Sequence, residues 1–141
     1  MTTSRREFIE LAAALGATLA WTASATASQS RWREARDLFP QGVASGDPDP
    51  TSVIVWTRRP FDAGASQVLD LEVAEDPEFR RVVSRAAAPV LAESDWTARV
   101  LVPGLKPSRF YWYRFTDKDG NGSRIGRTRT APAPDDPRPV N

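Results

Sequence analysis

From residue 52 onward the chain alternates apolar and polar positions in short runs separated by turn formers. Ser52-Val53-Ile54-Val55-Trp56-Thr57-Arg58 is β-branched and aromatic, and is bounded by Asp-Pro pairs and Pro60. Val68 to Ala74 alternates, Arg80 to Ala88 carries Val82 and Val83, and Trp96 to Val102 and Phe110 to Phe115 alternate again. Ser123 to Thr130 is polar and predicts an edge strand guarded by charge. Period-two alternation marks half-buried strands. Turn residues recur at the roughly 8–12-residue spacing of an all-β sandwich. No run here keeps a 3.6-residue period, so Asp76-Pro77-Glu78-Phe79 predicts at most one helical turn inside a connection.

The first residues follow a different pattern. Ser4-Arg5-Arg6-Glu7-Phe8-Ile9-Glu10 resembles a twin-arginine export motif, with Arg5, Arg6 and Phe8 as its marks. A modest apolar stretch from Leu11 to Trp21 follows, shorter and weaker than the ~20 apolar residues of a membrane span. Small residues then lead to Ala25-Thr26-Ala27, an A-x-A cleavage site, with Ala23-Ser24-Ala25 as the alternative. The expected organisation is a signal helix over 1–27, a linker over 28–38, a β-sandwich over 39–131 and a Pro/Asp-rich tail over 132–141. The twin-arginine translocase is then a partner, and the product is periplasmic or extracellular. Without cysteine there is no lipid attachment and no stable membrane anchor.

Composition narrows the chemistry. Among 141 residues there is no cysteine and no histidine, which excludes disulfides, thiol nucleophiles and Cys/His zinc sites. It also removes the commonest general base. The net charge of +1, with both signs interspersed, gives no reason to expect nucleic acid.

Two segments resemble known families. Gly104-Leu105-Lys106-Pro107-Ser108-Arg109-Phe110-Tyr111 resembles the corner of a fibronectin type III sandwich. In such a corner a buried Tyr returns its hydroxyl to upstream backbone. Tyr111 takes that role, with Arg109 where Thr is usual, and Trp56 is expected as the central core aromatic. Phe39-Pro40-Gln41-Gly42-Val43-Ala44-Ser45-Gly46-Asp47-Pro48, continuing through Ser52 to Arg58, resembles the opening of the PhoD-like phosphatase N-terminal domain. Tyr111-Trp112-Tyr113-Arg114-Phe115 fits the same family in order and spacing, so the resemblance runs from Phe39 to Thr130. It implies a fibronectin-like domain ahead of a calcium- and iron-binding phosphoesterase domain that hydrolyses phosphomonoesters and phosphodiesters for phosphate acquisition. No ligand motif of that second domain occurs here. The resemblance therefore implies a truncated chain, with the catalytic domain as its partner in cis and no cofactor of its own.

Three remaining clusters have plainer structural readings. Gly42, Gly46, Asp47, Pro48, Asp49 and Pro50 read as a turn entering a strand. Asp117-Lys118-Asp119-Gly120-Asn121-Gly122 matches the start of an EF-hand loop, but Thr128 stands where the bidentate Glu is required. A hairpin turn is the preferred reading. Arg127 and Arg129, with Arg124 nearby, could grip a phosphate, but a solvated edge strand is favoured. No catalytic or metal-binding residue is assigned. Two functions follow: an inert accessory domain of an exported alkaline phosphatase, or a standalone secreted module that binds protein or glycan.

Overall fold

The computed structural model describes residues 18–19, 21–62 and 66–138. Its strands form where β-branched and aromatic residues alternate with polar ones. β1 is Thr18–Leu19, β2 Trp21–Thr26, β3 Arg33–Glu34, β4 Val43–Gly46, β5 Val53–Arg58 and β6 Gln67–Ala74. β7 is Val82–Val90, β8 Thr97–Val102, β9 Phe110–Thr116, β10 Asn121–Gly122 and β11 Gly126–Arg129. A three-residue 3-10 turn, Ala92–Ser94, is the helical exception among the described residues.

Two sheets face each other. One has the order β1-β8-β5-β4, and the other β2-β7-β6-β9-β10-β3, with β11 also paired to β9. β10 and β11 are two pieces of one returning strand. Between them the Ser123 amide donates to the Phe115 carbonyl, and the Ser123 hydroxyl accepts from the Phe115 amide.

Alternation places the core between the sheets. Val53 and Val55 of β5 and Val100 and Val102 of β8 meet Leu69, Leu71 and Val73 of β6 and Tyr111, Tyr113 and Phe115 of β9. At ~25 cal/mol per Å2 of apolar surface this burial is the main stabilising term. Tyr111 is 1% exposed, and its hydroxyl accepts the Lys106 amide at 2.9 Å, closing the turn before β9. Burial raises the Tyr113 hydroxyl pKa, and its ring leaves no room for a side chain at Gly126.

Trp56 does not occupy the core. Val53, Val55 and Thr57 face inward, so period two turns Ile54, Trp56 and Arg58 to the opposite face, where Trp56 is half-buried. The run from Ser52 to Arg58 forms strand β5 as its composition predicts, but its largest side chain lies on the face turned away from the core.

The expected linker is also tied down. The Arg33 and Ala35 amides donate to the Gly120 and Gly122 carbonyls, and β3 runs parallel to β10. The Trp32 indole donates to the Ser123 carbonyl at 3.2 Å, and its ring lies where a Gly122 Cβ would be. Glycine is required at 122 for that close approach. Structure thus begins well before Phe39, with β2 and β3.

Arg5, Arg6 and Phe8 lie outside the described residues. The end of the expected signal helix is extended: β1 pairs parallel with β8, and β2 pairs antiparallel with β7 from Trp21 opposite Arg85 to Thr26 opposite Val82. Tryptophan and threonine, both in β2, favour strands, and a sheet edge offers unpaired backbone groups to an added strand. Ala25 and Ala27 are exposed.

Candidate functional site

Among the described residues two carboxylates are buried, and each is held by a guanidinium. On the face of β6 turned away from the core, Glu72 has a side chain 4% exposed. Arg114 of β9 donates to Glu72 Oε2 at 2.9 and 3.3 Å, and Arg85 of β7 lies 3.6 Å from Oε1. The Ser28 hydroxyl meets both carboxylate oxygens at 2.8 and 2.7 Å, and the Ser30 hydroxyl reaches Oε1 at 3.2 Å. The Arg114 guanidinium stacks on the Phe79 ring at 4.0 Å and faces Trp32 at 5.2 Å. Phe79, Val82 and Ala74, with Trp112 beside them, form a small second apolar cluster at this place. Asp70, the outward neighbour of Glu72 along β6, has a raised pKa, from partial burial first and the Glu72 charge second.

A cavity of about 460 Å3 opens beside the pair, lined by Thr26, Ala27, Gln29, Ser30, Glu72 and Arg85. A second, of about 480 Å3, shares Ser30, Glu72 and Arg85 and reaches Asp70 and Ala87.

The second carboxylate is Asp117. Arg59 Nη2 donates to its Oδ2 at 3.0 Å, while the Asp119 and Asn121 amides donate to Oδ1 at 2.9 and 3.0 Å. Burial pushes its pKa up, but Arg59, the two amides and the Asn121 side chain outweigh burial and leave it lowered. The loop is therefore a hairpin turn organised around one carboxylate whose oxygens already have donors. Calcium takes roughly six to eight oxygen ligands, and here it would have to displace the four donors already on this carboxylate. Thr128 sits within β11, paired opposite Tyr111.

The Asp47 and Asp49 loop is the turn between the antiparallel strands β4 and β5. Asp49 Oδ1 accepts from the Thr51 amide and hydroxyl, and Asp47 takes a left-handed conformation at φ 47°. A groove of about 260 Å3 beside it is lined by residues 44–47, Ile54, Trp56 and Arg99. On β11, Arg127 and Arg129 flank exposed Phe110 at 4.8 and 5.3 Å from its ring centre. These two arginines rest on an aromatic surface.

Among the described residues, no group of three or more His, Cys, Asp or Glu could hold a metal ion. No helix among them is long and apolar enough to cross a membrane. Sequence reading missed Glu72, Arg114, Ser28 and Trp32. The available signal was a Glu and an Arg within the strand runs Gln67–Ala74 and Phe110–Thr116, which charge conventionally assigns to a solvated face.

Fold and charge pairing define a β-sandwich domain whose buried acids are neutralised internally. The profile of the PhoD-like phosphatase N-terminal domain matches residues 23–132, and the chain belongs to that family. It is 38% identical over 149 aligned positions to alkaline phosphatase D of Bacillus subtilis (strain 168), which covers 94% of this chain and 25% of that protein. A solved structure described as the structure of PhoD superposes with a TM-score of 0.66 at 32% identity, over 76% of this chain and 20% of its own. The chain thus spans about a quarter of the curated relative.

Proposed function

We propose that the chain is a non-catalytic accessory domain of an exported PhoD-like alkaline phosphatase, a metal-dependent phosphomonoester and phosphodiester hydrolase. The observation that carries this reading is the family match together with the state of the acids. Glu72 and Asp117, the two buried carboxylates among the described residues, are each paired with an arginine and held by further donors. Metal-assisted phosphoryl transfer requires converging ligands that remain free for the ion.

The sandwich is of the fibronectin type III kind on this reading. β4, β5 and β8 oppose β7, β6, β9 and the β10–β11 return, and Tyr111 closes its corner on Lys106. Calcium and iron belong to a catalytic domain that this domain accompanies in cis. Export by the twin-arginine translocase rests on Arg5, Arg6 and Phe8, followed by the A-x-A site ending at Ala27.

Export has a direct test. Replacing Arg5 and Arg6 by Lys is expected to leave the precursor in the cytoplasm, followed by fractionation and by the mass of the N-terminus. Unchanged export of the double variant would refute this assignment.

A further inference from the structure

The residue that follows the expected cut is already fastened to the sheet. Ser28 donates its amide to the Phe79 carbonyl at 2.9 Å, and its hydroxyl lies 2.8 and 2.7 Å from the two Glu72 oxygens and 3.0 Å from Arg114 Nη2. Upstream of it, Ala25, Thr26 and Ala27 are exposed, and β2 is bound to β7 through backbone pairing at its edge. Among the described residues this pairing runs from Val82 to Arg85. The leader strand is therefore an addition to an edge, while Ser28 is joined to a buried charge pair.

We propose that the Glu72–Arg114 pair is a binding site for the chain's own processed amino terminus, with Ser28 as the first residue. This rests on the reading that the leader is cut after Ala27. Cleavage turns the Ser28 amide into an ammonium group. The ammonium keeps the Phe79 carbonyl as acceptor in a bond that becomes charge-assisted. The backbone nitrogen and hydroxyl of one serine are ~3 Å apart by covalent geometry, so the ammonium lies within about 6 Å of the Glu72 carboxylate, a range in which opposite charges interact appreciably. Arg114 and Arg85 oppose it, and Asp70 adds a second carboxylate on the same face. The hydroxyl, which meets the carboxylate directly, is the principal hold.

The cavity of about 460 Å3 beside Glu72, lined in part by Thr26 and Ala27, gives the new terminus room once those residues leave. The functional consequence is specific. The strand β2 can close the edge of the sheet before processing and depart afterwards without unravelling residues 28–34, which pack Trp32 against Gly122 and Arg114.

The test uses the full chain with its leader, expressed in a host that has a twin-arginine translocase. The exported product is purified, its first residue is read by mass, and it is exposed to an aminopeptidase. A product beginning at Ser28 that is trimmed about tenfold more slowly than its Ser28→Ala counterpart supports the site, since a hydrogen bond to a charged group carries a factor of that order. Glu72→Gln gives a second, isosteric arm, and thermal melts establish which variants are folded. Equal trimming of the parent and folded Ser28→Ala overturns the site while leaving export intact. A folded, exported product that begins elsewhere also overturns it. A precursor that stays uncut in the cytoplasm overturns both the site and the export reading.

Discussion

Removing the Asp117 carboxylate is expected to cost the domain a large part of its stability. The side chain is 3% exposed and Arg59 is 10% exposed, so the pair is screened little by water. Asp117→Ala leaves the guanidinium buried without its partner and frees the Asp119 and Asn121 amides. Orphaning one member of a buried ion pair costs ~3–5 kcal/mol. Arg59 retains the Pro60 carbonyl and the Phe61 ring face at 4.1 Å, which places the expected loss near the lower end, ~3 kcal/mol. Total stability of a domain is ~5–15 kcal/mol, and a change of this size corresponds to roughly 10 °C in Tm. Urea and thermal unfolding at neutral pH measure it. The pH dependence is a second constraint. Because the folded pKa is lowered, the stabilisation is present above the unfolded value of ~3.9 and disappears as pH falls through the folded value. The gap between parent and Asp117→Asn should therefore be full near neutral pH and close in acid. A variant within ~0.5 kcal/mol of the parent, the range of ordinary surface substitutions, or a gap that persists unchanged in acid, would refute the reasoning.

Further outcomes follow from burial and bonding. Tyr111→Phe leaves the Lys106 amide without its acceptor and should cost ~1–3 kcal/mol in urea denaturation; no loss would remove the corner from the account. Trp56→Ala, on a half-buried outer face, should cost ~1–2 kcal/mol, whereas Phe115→Ala in the core should cost ~3–5 kcal/mol. Reversal of that order would return Trp56 to the centre of the fold.

The strands were legible because their alternation is a local property. Val53–Arg58, Thr97–Val102 and Phe110–Thr116 lie within a residue or two of the runs read from the sequence. Which face is the core is not local. In Val53-Ile54-Val55-Trp56 every position is apolar, so period two alone allows either face, and size favoured the tryptophan. The facing residues Leu69, Leu71 and Tyr111 settle it for Val53 and Val55. The segment over 28–38 failed for a related reason. Its polar composition reads as a linker, yet Ser28 and Trp32 are placed by partners 44 and 91 residues away. The Asp117 loop is a hairpin turn, but its signal is displaced: Gly120 takes the left-handed φ of 82°, whereas Asn121-Gly122, the local turn dipeptide, forms strand β10. Glu72 and Asp117 take their significance from arginines distant in sequence, Arg114 on the neighbouring strand β9 and Arg59 just after β5 of the other sheet.

The most direct test of the central claim is phosphate ester hydrolysis by the purified chain with calcium and iron supplied. A solvated aspartate has a pKa near ~4 and is a poor general base at neutral pH, and the arginines beside Phe110 would bind ground state and transition state alike, which does not accelerate the chemical step. The account predicts no turnover of a chromogenic phosphomonoester or phosphodiester. Turnover that co-purifies with the chain and disappears when Asp47 and Asp49 are both replaced by Asn would contradict it.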